Sequence, residues 1–115
     1  MSAQHPRVRV SDGVLIVDLV PASPARRISF ECVVDRTDFG DVVGIEILDF
    51  RPQLCGGTSP ASPNIDVPRW SYDEEIDAFY ITLLNTTAAV ERSTIGVAVL
   101  DTAKQVISLE IEGEL

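Results

Sequence analysis

Four carboxylates fall within five residues of the segment Tyr72–Leu84, directly before an apolar stretch: Asp73, Glu74, Glu75 and Asp77. Carboxylate oxygens suit a hard cation such as Ca²⁺, so Asp73, Glu75 and Asp77 are candidate metal ligands. The spacing lacks the glycine and the distal glutamate of an EF-hand loop. The segment therefore favours a solvated turn, in which Asp73 binds its own backbone and Asp77 ends the turn.

Side chains that perform nucleophilic or redox chemistry are scarce. The chain has one histidine, His5, and two cysteines, Cys32 and Cys55. A serine or cysteine triad needs a histidine, and a thiolate zinc site needs more ligands than two cysteines. We therefore expect no catalytic residue and no cofactor, although chemistry by carboxylates alone stays open. Both cysteines are expected to be reduced, with Cys32 in the core and Cys55 in a loop.

Composition limits the classes of partner. The chain has 115 residues, a net charge of −9 and 45% hydrophobic residues, which is typical of one globular domain, residues 1–115. Nine Lys and Arg residues are too few to favour nucleic-acid binding. The amino-terminal residues lack the apolar run of a signal peptide, and no apolar run approaches the ~20 residues that span a membrane. We expect a cytoplasmic protein that binds neither nucleic acid nor membrane.

The sequence indicates an internal repeat. Three pairs of segments match in the same order: Val14–Leu19 with Ala78–Leu83, Ile28–Asp35 with Thr94–Asp101, and Val42–Ile47 with Val106–Ile111. The first and last pairs are equally far apart, and the middle pair is slightly farther apart. Residues 51–67 between the copies are rich in proline, glycine and serine, which predicts a linker. The expected repeats are therefore residues 7–50 and 68–113, within a single domain.

Alternating apolar and polar residues predict antiparallel strands in both copies. Asp12-Gly13 and a looser turn around Gly40 predict hairpins. We expect eight strands, and residues 8–10 and 69–72 form the first strand of each copy. Residues 28–34 and 94–100 are apolar at nearly every position, so the facing of these strands stays open.

A mainly β fold follows, with little or no helix. One four-stranded unit exposes a single apolar face and is marginally stable by itself. Two such units can bury these faces against each other. We therefore expect two homologous antiparallel units packed by pseudo-twofold symmetry, as either a sandwich or a closed barrel.

Two short motifs resemble a known family. The segment Tyr72–Ile81 reads Tyr-Asp-x-x-x-Asp-x-x-Tyr-Ile, and Gly44–Leu48 reads Gly-Ile-Glu-Ile-Leu. Both are similar to motifs of the bacterial and archaeal family called domain of unknown function 2283. The first motif lies in the second copy and the other in the first copy. The resemblance implies a small antiparallel β-unit that pairs with another, here in tandem, and it supplies no catalytic residue.

Aromatic residues gather around the first motif. Trp70 precedes it, Tyr72 begins it, and Tyr80 lies on the strand face opposite its apolar neighbours, where Ile16 matches it in the first copy. Exposed apolar surface of this kind usually marks association. Trp70, Tyr72, Tyr80 and Ile16 are therefore the candidate interface or ligand-binding residues.

These observations favour a non-catalytic β-domain that acts by protein–protein association. The partner is a second copy of the chain, giving a homo-oligomer, or a basic protein bound by the acidic surface of an adaptor or antitoxin. The alternative is a small-molecule-binding protein with a pocket between the repeats, near Trp70 and Tyr80. A carboxylate enzyme or a calcium-binding protein, using residues 73–77, is the least favoured interpretation.

Overall fold

The computed structural model describes residues 5–62 and 65–112 of the chain. Residues 63 and 64 of the predicted linker, and residue 113 of the predicted second repeat, lie outside the described residues. Eight strands and one short helix follow in chain order: β1 (Arg7–Ser11), β2 (Val14–Asp18), β3 (Arg26–Arg36), β4 (Val42–Ile47), α1 (Phe50–Gln53), β5 (Arg69–Asp73), β6 (Ala78–Thr82), β7 (Val90–Leu100) and β8 (Val106–Glu112). The predicted eight strands and the near absence of helix are confirmed.

The hairpin turns form where the turn residues predict them. Asp12 and Gly13 both have positive φ, 51° and 77°, as a tight two-residue hairpin requires. Gly40 has φ 94° in the loop between β3 and β4. A glycine reaches this region of φ at no steric cost, which explains its place in the loop.

All eight strands form one antiparallel sheet, curled into a half-barrel, in the order β1-β2-β8-β7-β3-β4-β6-β5. The expected sandwich is therefore wrong, because β3 and β7 pair directly and join the two halves in one sheet. The closed barrel is also wrong for the described residues, because β1 and β5 are separate sheet edges.

The first four strands do not form a contiguous unit, since β8 and β7 lie between β2 and β3. The chain leaves β2 through a segment that contains Pro21 and Pro24, which have no backbone N–H for a hairpin ladder. Instead, the backbone N–H of Leu19 donates to the carbonyl of Ile107, at the start of β8, at 2.8 Å. The two halves of the chain are interleaved rather than stacked.

The strands recur along the chain at a constant spacing. β2, β3 and β4 begin at positions 14, 26 and 42, and their counterparts β6, β7 and β8 begin at positions 78, 90 and 106. β3 and β7 are therefore separated by the same number of residues as the other two pairs. The slightly larger separation expected from matching Ile28–Asp35 with Thr94–Asp101 is wrong. We call positions related by this spacing corresponding positions, so that position 14 corresponds to position 78. β1 and β5 begin at positions 7 and 69, which is a different spacing, so these two strands are compared residue by residue from their first residues.

The strand order is the same from both edges when each strand is exchanged with its counterpart. We call β1, β2, β8 and β7 the β1-side half, and β5, β6, β4 and β3 the β5-side half. The two halves meet along the β3–β7 ladder, which pairs Arg26–Arg36 with Val90–Leu100 in antiparallel register. Glu31 and Ile95 are paired at its centre and occupy corresponding positions.

The core lies on the inner face of the curled sheet. Every strand except β1 contributes buried apolar side chains to it. The sequence left open which side chains of β3 and β7 face the core. In the structure, alternate residues do so: Phe30, Cys32 and Val34 of β3, and Ala98 and Leu100 of β7.

The predicted linker is part of the core layer. Residues 50–53 form α1, whose Phe50 is buried, and Leu54 is fully buried behind it. Thr58 then forms a parallel bridge with Gln105, so this segment crosses to the other half of the sheet. The apolar inner face is therefore covered by residues 50–62 rather than by a second sheet. No helix in the described part of the chain is long and apolar enough to cross a membrane.

Candidate functional site

The acidic segment forms the predicted turn. The Asp73 carboxylate accepts a hydrogen bond from the backbone N–H of Glu75 at 3.0 Å, within the hairpin that joins β5 to β6. Asp77 ends this turn with φ 53°. Within residues 5–62 and 65–112, no group of three or more His, Cys, Asp or Glu side chains has the arrangement of a metal site. Asp73, Glu75 and Asp77 are not brought together around a common point.

Asp77 connects the hairpin to α1. Its carboxylate accepts hydrogen bonds from the Tyr72 hydroxyl at 2.5 Å and from the Arg51 backbone N–H at 3.2 Å. The carbonyl of Asp77 accepts a further bond from the Phe50 N–H at 3.0 Å. A carboxylate at this position stabilises the free N–H groups at the start of a helix. The hydrogen bond to Asp77 also raises the pKa of Tyr72.

The four predicted interface residues do not form one surface. Trp70 and Tyr72 are directed to the inner face, where Trp70 is 6% exposed and its indole N–H donates to the Pro60 carbonyl at 2.8 Å. Tyr80 lies on the outer face of the same half. Ile16 lies in the β1-side half, paired with Arg9 and Glu110. The register of β5 on β6, which pairs Trp70 with Ile81, separates the tryptophan from Tyr80.

Tyr80 packs over Gly44, where an added Cβ would overlap the phenol ring and approach the Ile81 carbonyl to 2.7 Å. The tyrosine hydroxyl donates to the Asp35 carboxylate at 2.9 Å. Burial, this hydrogen bond and the charges of Asp35, Glu46 and Glu91 raise the pKa of Tyr80 to about 12. Tyr80 is therefore a fixed part of the outer face rather than a free contact residue.

The free thiols are placed as the sequence predicts. Cys32 is buried in the core and Cys55 is exposed in the segment that follows α1. Burial raises the pKa of Cys32 to about 11, so its thiol is protonated and unreactive at neutral pH.

A groove with a volume of about 530 Å³ lies at the centre of the sheet. We call it the central groove. Its lining residues come from β3, β4, β7, the link between β4 and α1, and the last residue of α1: Glu31, Cys32, Val33, Glu46, Leu48, Asp49, Gln53, Ser93, Thr94 and Ile95. A second groove of about 410 Å³, the side groove, lies in the β1-side half. Neither Trp70 nor Tyr80 lines either of these two grooves. The small-molecule pocket expected between the repeats stays a prediction.

The central groove exists because β4 covers only part of β3. Pairing between these strands begins at Val33, so Arg26–Cys32 have β7 on one side and no strand on the other. The Gln53 amide fills one position of this open edge. It accepts from the Glu31 N–H at 2.6 Å and donates to the Glu31 carbonyl at 3.0 Å.

The two grooves differ in how their carboxylates are paired. In the side groove, Arg27 forms a bidentate ion pair with Glu110, at 2.6 and 3.0 Å. The central groove contains three carboxylates, of Glu31, Glu46 and Asp49, and no lysine or arginine. None of the hydrogen bonds or ion pairs found among the described residues involves these three carboxylates.

Exposed apolar side chains lie near the end of the sheet at which β3 ends and β7 begins. Phe39 is 91% exposed in the β3–β4 loop, and Leu84 and Val90 are exposed beside it. Backbone hydrogen bonds hold these segments together: Leu84 N–H donates to Val43 at 3.1 Å, and Val90 is paired with Arg36. We call Phe39, Leu84 and Val90 the apolar end.

No protein-family model, curated protein or solved structure matches the chain. The resemblance to domain of unknown function 2283 therefore stays a prediction.

Sequence reasoning missed the apolar end and the central groove. Phe39 had a local signal, because an aromatic residue between Asp38 and Gly40 of a predicted hairpin loop has no core to enter. Leu48 and Ile95 had none, because only the strand order brings them to the same groove.

Proposed function

We propose that this protein is a non-catalytic association domain that forms a homo-oligomer through the apolar end. The observation that carries the proposal is the exposure of Phe39. Contact between a large apolar side chain and water is unfavourable. At a loop tip, this contact is removed only when a partner covers the side chain. The neighbouring Leu84 and Val90 extend the surface that such a contact buries.

The fold does not need a phenylalanine at this position. The loop 37–41 and the corresponding loop 101–105 close with the same hydrogen bonds. Thr37 Oγ1 accepts from the N–H groups of residues 39 and 41 at 3.2 Å, and Asp101 Oδ1 accepts from residues 103 and 105 at 2.9 Å. Ala103 occupies the place of Phe39 in that second loop. Phe39 is therefore available for contact with a partner.

Self-association is tested by measuring the molar mass of the wild type and of Phe39→Ala by light scattering across a dilution series. The wild type is expected to exceed the monomer mass of 12.5 kDa at high concentration, and Phe39→Ala to remain monomeric. Salt is expected to strengthen the association, because it screens the repulsion between two copies of charge −9. A basic partner would show the opposite salt dependence.

The control is Ala103→Ser, which changes the corresponding loop without altering the apolar end. Phe39→Ala should keep the melting temperature that the wild type has at concentrations where it is monomeric, since the loop 101–105 closes around an alanine. A wild type that is monomeric at every concentration, or a Phe39→Ala variant that associates as the wild type does, contradicts the proposal.

A further inference from the structure

We propose that the central groove binds an extended, arginine-containing segment of a partner protein, with the guanidinium group on Glu46. This inference is independent of self-association through the apolar end. It rests on the open edge of β3, on the apolar rim of the groove and on a precedent within the molecule.

The precedent is the ion pair between Arg27 and Glu110. Glu110 of β8 and Glu46 of β4 occupy corresponding positions, on the outer face of the two halves. Arg27 reaches across β7 and binds both oxygens of Glu110. The position that corresponds to Arg27 is Glu91, so a glutamate stands where Glu46 would have the equivalent arginine. Glu46 and Glu110 are thus equally placed to bind a guanidinium group, but only Glu110 has an arginine of this chain bound to it.

The shape of the groove favours an extended segment. Inside the groove, Gln53 already binds both backbone groups of Glu31, which shows that this edge of β3 can hold an amide. The open edge continues from the groove along Arg26–Phe30, which pair with β7 but not with β4. Leu48 and Ile95, which are 46% and 62% exposed, offer apolar surface on the rim. A chain with alternating side chains can place an arginine towards Glu46 and an apolar residue on this rim.

Charge decides the class of partner. Glu31, Glu46 and Asp49 line the groove with no cation among its lining residues. A planar guanidinium group matches a carboxylate bidentately, whereas a lysine ammonium group acts as a point charge. The groove should therefore prefer arginine to lysine, and both to a neutral side chain of the same shape.

The probe is a short synthetic peptide that alternates arginine with leucine, labelled for fluorescence anisotropy. Matched peptides replace arginine by lysine, by its neutral isostere citrulline, or by glutamate. The arginine peptide is expected to bind most tightly and the glutamate peptide not at all. Glu46→Gln is expected to weaken binding of the arginine peptide about tenfold, the effect of losing a charge-assisted bidentate pair.

Glu112→Gln is the matched control, because it removes one exposed carboxylate of β8 outside the groove. It should leave affinity within about twofold of the wild type. If Glu112→Gln weakens binding as much as Glu46→Gln, the peptide responds to overall charge and the groove assignment is wrong. Equal binding of the arginine and citrulline peptides also overturns the proposal.

Two further variants separate this inference from the others. Glu46→Arg should bind the glutamate peptide that the wild type rejects, which a merely destabilised fold would not do. Phe39→Ala should bind the arginine peptide as the wild type does, whatever its effect on self-association. Unchanged melting temperature of Glu46→Gln shows that its loss of affinity is not a loss of structure.

Discussion

The β1-side and β5-side halves follow the same strand plan but differ in what covers their inner face. Val8 and Trp70 are the second residues of the two edge strands, yet Val8 is 41% exposed and Trp70 only 6%. The difference arises from α1 and residues 54–62, which pack against β5 and have no counterpart against β1 in the described residues. Backbone hydrogen bonding thus defines the sheet, whereas the connecting segment decides which edge becomes core.

The two halves also differ on their outer face. In the β1-side half, Asp18 is paired with Arg7 and Arg9, and Glu110 is paired with Arg27, which reaches over from β3. In the β5-side half, Glu46 forms no ion pair among the residues that the structure describes, and Asp35 holds Tyr80. The surfaces that we assign to partners, the apolar end and the central groove, contain residues that are free of such internal pairing.

The largest expected effect tests the two sheet edges directly. Trp70→Ala should lower the free energy of unfolding by about 3–5 kcal/mol, because a buried indole and its hydrogen bond to Pro60 are lost. Val8→Ala at the matching edge position should cost less than about 1 kcal/mol, since much of the valine is already in water. Urea denaturation followed by circular dichroism measures both. Equal losses for the two variants would show that β1 is as well covered as β5.

A smaller effect is expected at the two hairpin turns. Asp12 and Asp77 both have positive φ, near 50°, so replacement by alanine imposes a similar backbone strain on each. Only Asp77 binds the N–H of Arg51 and the Tyr72 hydroxyl. Asp77→Ala should therefore cost about 1–2 kcal/mol more than Asp12→Ala in chemical denaturation. A difference near zero would mean that the contact between the hairpin and α1 does not stabilise the fold.

The smallest effect is confined to alkaline pH. The pKa of Tyr80 is raised to about 12 in the folded protein, against about 10 in an unfolded chain. The neutral phenol is favoured in the folded state, so its contribution is fully present below pH ~10 and is lost as pH rises towards 12. Tyr80→Phe should flatten the stability profile over this interval.

Absorbance at the phenolate band provides the direct measurement for Tyr80. The wild type should show a tyrosine that titrates near pH 12 and is missing from Tyr80→Phe. If instead the variant and the wild type lose stability in parallel across this interval, the pKa of Tyr80 is not raised in the folded protein.

The strands were predictable because their signals are local. Period-two alternation located β2, β4, β6 and β8, and Asp12-Gly13 located the first hairpin. The Asp73 turn followed from the tendency of aspartate to bind a nearby backbone N–H. The shared plan of the two halves also shows as a recurrence in the sequence, although the alignment placed its middle pair of segments slightly out of step with the strands.

The candidate site was less predictable because it depends on distant contacts. Trp70 and Tyr80 are close in sequence, but strand pairing sends them to opposite faces of the sheet. Phe39 was recognisable as a loop residue. That the fold does not need its side chain became clear only from the corresponding loop, which closes in the same way around Ala103. The central groove required the knowledge that β4 stops pairing with β3 at Val33.

The sequence by itself determined the β class, the number of strands and the turns between them, because each depends on side chains a few residues apart. Only the tertiary structure decided that β2 pairs with β8 and β4 with β6. Many strand orders satisfy the same alternation, since backbone N–H and C=O groups are identical in every strand. The choice among them is made by the joint burial of one inner face, which also leaves Glu46 and Phe39 exposed at the surface.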